Sequence, residues 1–310
     1  MNRTIGRAAL CLIAPLLLAA CVSQSVKGEM AKEYYNLGNA YYEIREYDRA
    51  IAYYNLAISQ DPELLGAHYN LSLAFIKGGR EEEAERVLLR LLERDPENVS
   101  VLQLLAYVYY QSGSVVQAIE TVESVLRLSP NDVDALHNMG IIYWEDGQAE
   151  NAARAFDDLL EILPADGSAL YTETLFNHGQ LLMQMGEEQK AVDQLERYLV
   201  WHEQDLEAQR LLARAYAAVE QYDRALEALD RVLGMDDSLG EVWFEKAVIL
   251  LTQIEDPVQG LSALEEALER GFSDQERIES LVEDPDLIDK SDVQDILKDY
   301  GRAAVGDGRS

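Results

Sequence analysis

Four asparagines recur at matching places along this chain: Asn36, Asn70, Asn138 and Asn177. A carboxamide offers donors and an acceptor together, so a row of them can grip the C=O and N–H groups of an extended peptide with little regard to its side chains. The structural alternative is that each caps or solvates a helix face. Tyr35, Tyr69, Tyr107, Trp144 and Phe176 stand beside them, and Tyr42, Tyr110 and Phe244 fall on the same face. Rings of this kind bring large contact area at low entropic cost. Cover by adjacent helices or by a neighbouring copy of the chain is the competing reading. Arg210 and Arg214, beside Glu207, suit the anionic end of a ligand.

Catalytic chemistry finds no footing. His68, His137, His178 and His202 form no i, i+4 pair and have no cysteine partner, so packed or solvated rings are expected rather than a metal centre. There is no P-loop, no G-x-G-x-x-G after a strand and no nucleophile on a strained turn. Asn131-Asp132-Val133-Asp134 lacks the glycine and distal glutamate of a calcium loop. The expectation is a protein without enzymatic activity and without a cofactor.

The elements that position these residues follow from a period of 34 residues beginning at Ala31. In the block 31–64, Tyr34, Leu37, Gly38 and Tyr41 take positions 4, 7, 8 and 11, and Ala50, Tyr54, Ala57 and Pro62 take positions 20, 24, 27 and 32. Equivalent residues fill blocks 65–98, 99–132 and 133–166. A five-residue insert, Gly167 to Tyr171, precedes block 172–205, and blocks 206–239 and 240–272 follow. Apolar residues at the first four positions make one stripe of a helix with 3.6 residues per turn. Small residues at positions 8 and 20 let two helices approach closely. Gly79, Gly113, Gly147 and Gly186, at position 15, can turn the chain in a left-handed conformation. Proline at position 32 ends the second helix. In the last block Asp256-Pro257 predicts an N-cap followed by a first-turn proline.

This pattern resembles the tetratricopeptide repeat, W-x2-L-G-x2-Y…A-x3-F…P, over roughly residues 31–272. The resemblance implies an all-α fold, a right-handed superhelical solenoid of about seven helix pairs stacked into one core. It also implies that positions 2, 5, 6, 9, 12 and 13 of each first helix line a concave groove that holds a protein or extended peptide. The four asparagines all stand at position 6, like the asparagine ladder of superhelical repeat proteins, interrupted by Leu104, Leu211 and Glu245. The carboxylate clamp of some members is excluded, because Tyr35, Ser100 and Leu104 replace its cations. Residues 273–300 resemble the closing cap of such arrays, ending in one amphipathic helix, and 301–310 read as a disordered tail.

The N-terminus predicts an address. Arg3 and Arg7 precede an apolar run, Ala8 to Leu18, too short to span a bilayer. Leu18-Ala19-Ala20-Cys21 resembles the lipobox of bacterial lipoproteins, which implies that 1–20 is a signal peptide and that Cys21 carries acyl chains. The alternative is an ordinary secretory signal with an incidental cysteine. Acylation contributes roughly 0.8 kcal/mol per buried CH₂, enough for several chains to anchor the protein. Val22 follows the cysteine in place of the aspartate of inner-membrane retention, so an outer-membrane lipoprotein facing the periplasm is expected. Residues 21–30 form a short linker, which keeps the array close to the membrane.

The formal charge of −31 argues against nucleic acid as a partner. The expectation is therefore a lipid-anchored adaptor or scaffold for a cell-envelope machine such as a pilus, secretion or peptidoglycan complex. The alternative is a self-assembling envelope lipoprotein, a homo-oligomer.

Overall fold

A computed structural model describes residues 26–301. Cys21, the signal 1–20 and the tail beyond Gly301 lie outside the described residues. Sixteen helices and no strand occur among those described. The chain divides into two compact units, parting between Gln148 and Ala149.

The first unit holds α1 (26–43), α2 (Tyr47–Gln60), α3 (Leu65–Lys77), α4 (Glu81–Arg94), α5 (Val99–Gln111), α6 (Val115–Leu128) and α7 (Val133–Glu145). Odd-numbered helices are the first of each pair. The small residues do what their spacing requires. Gly38 is buried against Tyr54, where an added Cβ would come within 2.5 Å of the ring. Ala50, Ala84 and Ala118 are fully buried, and Tyr54, Leu88 and Val122 fill the space beside them. Each pair ends alike: the N–H groups of Asp61, Asp95 and Ser129 donate to the carbonyls of Ala57, Leu91 and Val125. Pro62, Pro96 and Pro130 then carry the chain to the next helix, which Asn98 and Asp132 cap by accepting from the N–H groups of Val101 and Ala135.

The second unit holds α8 (Ala149–Ile162), α9 (Ala169–Met185), α10 (Glu188–Leu199), α11 (Leu206–Ala218), α12 (Tyr222–Met235), α13 (Gly240–Thr252), α14 (Pro257–Glu269), α15 (Gln275–Glu283) and α16 (Lys290–Asp299). The insert does not form a separate loop. Its residues from Ala169 on open α9, which runs 17 residues, and Tyr171 is buried there, its hydroxyl accepting from Arg197 Nη2 at 3.0 Å. Asp256 caps α14 and Pro257 is its first residue, as the sequence predicts.

The closing segment consists of two helices, α15 and the last amphipathic helix α16. Ile278, Leu281 and Val282 of α15 and Val293 and Leu297 of α16 join the core of α13 and α14. The N–H of Ile288 donates to Leu251 O at 3.1 Å, tying the intervening loop back to α13.

Left-handed residues end the first helices as the glycines foretell: Gly79, Gly113, Gly147 and Gly186 have φ between 67° and 75°. The same conformation is imposed on Arg45, Glu220 and Glu255, with φ of 62°, 60° and 57°. The turn therefore belongs to the repeat and not to glycine alone.

Candidate functional site

In the first unit, Asn36, Asn70 and Asn138 project from α1, α3 and α7. They are not equivalent. Asn36 and Asn138 are exposed and make no side-chain hydrogen bond among the described residues. Asn70 is half-buried, and its Nδ2 donates to Asn39 Oδ1 at 2.8 Å and to the Tyr35 hydroxyl at 3.1 Å. The Tyr54 hydroxyl donates to the same Asn39 oxygen at 2.8 Å. Asn70 thus braces the first two helix pairs against each other, and only its Oδ1 remains as a free acceptor. Asn39 stands at repeat position 9, one of the groove positions, and its neighbour Gly38 admits the Tyr54 ring that bonds to it.

The aromatic candidates are mostly edges of the core. Tyr35, Tyr42 and Tyr69 are half-buried and pack against the first-unit cluster that includes Tyr54, Leu71 and Phe75. Tyr107, on α5, is 42% exposed and is the most open of the candidate rings. Trp144, on α7, is half-buried. The Tyr110 hydroxyl donates to Glu145 Oε1 at 2.7 Å, linking α5 to α7. Burial, and then that carboxylate, push the phenol up to about 12, and burial does the same for Tyr54.

Asn177 and Phe176 lie on α9 of the second unit and are both half-buried. The Phe176 ring packs on Tyr198 with centroids 5.0 Å apart.

Two expectations for this unit are corrected. Phe244 is not a groove ring: it is 1% exposed and stacks on Phe272 at 4.1 Å, because the closing segment folds back over α13. Arg210 and Arg214 are not free to mark a ligand's anionic end. Glu245 Oε1 accepts from Arg210 Nη2 at 3.0 Å and from Arg214 Nη2 at 2.5 Å, and Arg210 also pairs with Glu241. Cations on α11 meet carboxylates one repeat later on α13, a complementarity legible from their matching positions.

The tetratricopeptide repeat profile matches residues 31–64, and a second profile of the same repeat matches 69–133, 104–169, 176–238 and 210–276. These cover well over half of the chain, which belongs to the tetratricopeptide repeat family. A search of curated proteins found no significant match. Among solved structures, the chain is similar to Pseudomonas aeruginosa PilF, at 18% identity and TM-score 0.53, covering 68% of this chain and 94% of that one. It is also similar to YrrB, described as a repeat protein with an unusual peptide-binding site, at 18% identity and TM-score 0.52, covering 59% and 92%. MamA follows at 19% identity and TM-score 0.47, covering 54% and 94%. At these identities the likeness is one of fold.

Proposed function

We propose that the chain is a lipid-anchored, non-enzymatic adaptor whose first-helix faces hold a protein or extended peptide of a cell-envelope complex. The observation that carries this reading is the pair of exposed amides, Asn36 and Asn138, on a face whose most open ring is Tyr107. An unspent carboxamide can take both polar groups of a peptide unit, and an adjacent ring supplies contact area. Anchoring rests on Cys21 in its small-residue context, and Val22 after it, in place of a retention aspartate, supports placement at the outer membrane on the periplasmic side. Replacing both Asn36 and Asn138 with alanine tests the reading, with helicity and melting expected to stay unchanged and capture of envelope partners to be lost. Full-strength capture by the double variant contradicts it. Labelling cells with an alkyne fatty acid tests the anchor: Cys21→Ala is expected to abolish incorporation.

A specific observation favours self-assembly as a second reading. Position 7 is closed in the next two repeats, with Leu71 at 4% and Leu105 at 3%, yet Leu37 is 42% exposed. Tyr41 and Tyr53 lie beside it as a stacked pair at 5.2 Å. Two copies joined at this open edge would bury it. Light scattering on a form starting at Val22 separates the readings, a monodisperse monomer counting against the second.

A further inference from the structure

In the second unit α11, α12, α13 and the cap helix α15 line an open cavity of about 540 Å³. Small-molecule sites usually span roughly 300–1,000 Å³, with mostly apolar walls and a few convergent polar groups. Here Ala217, Leu229, Val248, Ile249 and Leu281 supply the apolar wall, and Arg214, Glu245, Arg277, Ser280 and Asp284 the polar groups. The charges are unevenly committed. Glu245 already receives Arg210 and Arg214, and Arg277 Nη2 stands 3.7 Å from the same oxygen. Asp284 accepts the N–H of Asp286 at 2.8 Å. The Arg277 guanidinium makes no hydrogen bond among the described residues, only the 3.7 Å ion pair with Glu245. It lies over Phe244 and Phe272, at 5.2 and 5.4 Å from their centroids. Contact with this pair of stacked rings holds the cation beside an apolar cavity, with its N–H groups making no side-chain hydrogen bond.

We propose that this cavity binds a monocarboxylate with an apolar body, the carboxylate against Arg277 and the body against Val248, Ile249 and Leu281. A guanidinium fork matches a carboxylate, and the bond is charge-assisted. The ligand is a free small acid or the last residue of a partner chain, which share this chemistry. The site contains none of the four asparagines, although Glu245 stands at their repeat position, so it goes beyond the adaptor reading and can fail without it.

Calorimetric titration of the detergent-solubilised full chain tests the proposal with three probes: N-acetyl-L-phenylalanine, its amide, and a hexapeptide ending in phenylalanine with a free carboxylate. The acids are expected to bind with Kd on the order of 0.1–1 mM, and the amide at least about ten-fold more weakly. Tighter binding of the hexapeptide than of the amino acid assigns the site to chain termini; equal or weaker binding assigns it to small acids. Arg277→Gln and Ser280→Asp are each expected to weaken binding by at least about ten-fold. The second adds a like charge at the wall without removing core atoms, and melting curves verify that both variants fold. The proposal is overturned by silence from both acids up to about 10 mM, by an amide that binds as well as the acid, or by wild-type affinity in either folded variant.

Discussion

Nδ1 of His178 stops 3.8 Å from Oδ1 of Asp157, beyond hydrogen-bonding distance, and neither ring nitrogen has a hydrogen-bond partner. The ring is 2% exposed and sits at the position that Leu71, Leu105, Met139 and Leu212 fill in other repeats. Burial lowers its pKa below the ordinary histidine value; Asp157 opposes that shift, while Lys190 and Arg197 add to it. Since the unfolded chain takes up this proton near pH 6.5 and the folded chain only at lower pH, the unfolded state binds more protons in that window. Stability from this site is present above about pH 6.5 and falls as pH drops. His178→Leu is expected to stabilise by about 1–3 kcal/mol, by removing unpartnered buried nitrogens. It is also expected to reduce the loss of stability between pH 7.5 and 5.5. Urea melts at the two pH values measure both effects, and an unchanged pH dependence contradicts the account.

Glu220 has φ of 60°, a conformation that costs a residue with a side chain about 1–2 kcal/mol. Part of the gain on substitution is offset by glycine's larger unfolded-state entropy. Glu220→Gly is therefore expected to stabilise by about 0.5–1 kcal/mol. Gly113→Ala is the converse: φ is 74° and a Cβ would meet nothing within 4 Å, so strain alone acts. A loss of about 1 kcal/mol is expected in thermal denaturation.

Asn70 and Asn36 share a repeat position but not a role. Asn70→Ala removes donors to Asn39 and Tyr35 and is expected to cost about 1–2 kcal/mol. Asn36→Ala, at an exposed amide, is expected to leave the stability within about half a kcal/mol of wild type. Equal losses from the two would contradict the division between brace and binding group.

Gly38→Ala puts a methyl group 2.5 Å from the Tyr54 ring, which is pinned through its hydroxyl to Asn39. Overpacking of about 1–3 kcal/mol is expected, visible as a lower denaturation midpoint.

Much of this was legible in the sequence because the repeat writes its packing into residue size. Gly38 and Ala84 announce close approach, Gly113 a left-handed turn and Asp256-Pro257 a helix start. What escaped depends on the neighbouring repeat. Glu220 adopts a glycine's conformation because the N–H of Gln221 donates to Tyr216 O at 2.8 Å, closing the turn whatever residue stands in it. Phe244 turned inward because Phe272 reaches back over it, a contact that no helical period encodes. Arg210 and Arg214 were neutralised by Glu241 and Glu245, which requires reading two repeats together. The amide row was visible as a pattern, but the structure separated Asn70, which is spent internally, from Asn36 and Asn138, which are not.

A photocrosslinking amino acid at Tyr107, the open ring of the proposed binding face, tests the central claim most directly in intact cells. The account predicts an adduct with an envelope protein that disappears when Asn36 and Asn138 are both alanine. Adducts that persist undiminished in the double variant, or that contain only a second copy of this chain, would contradict it.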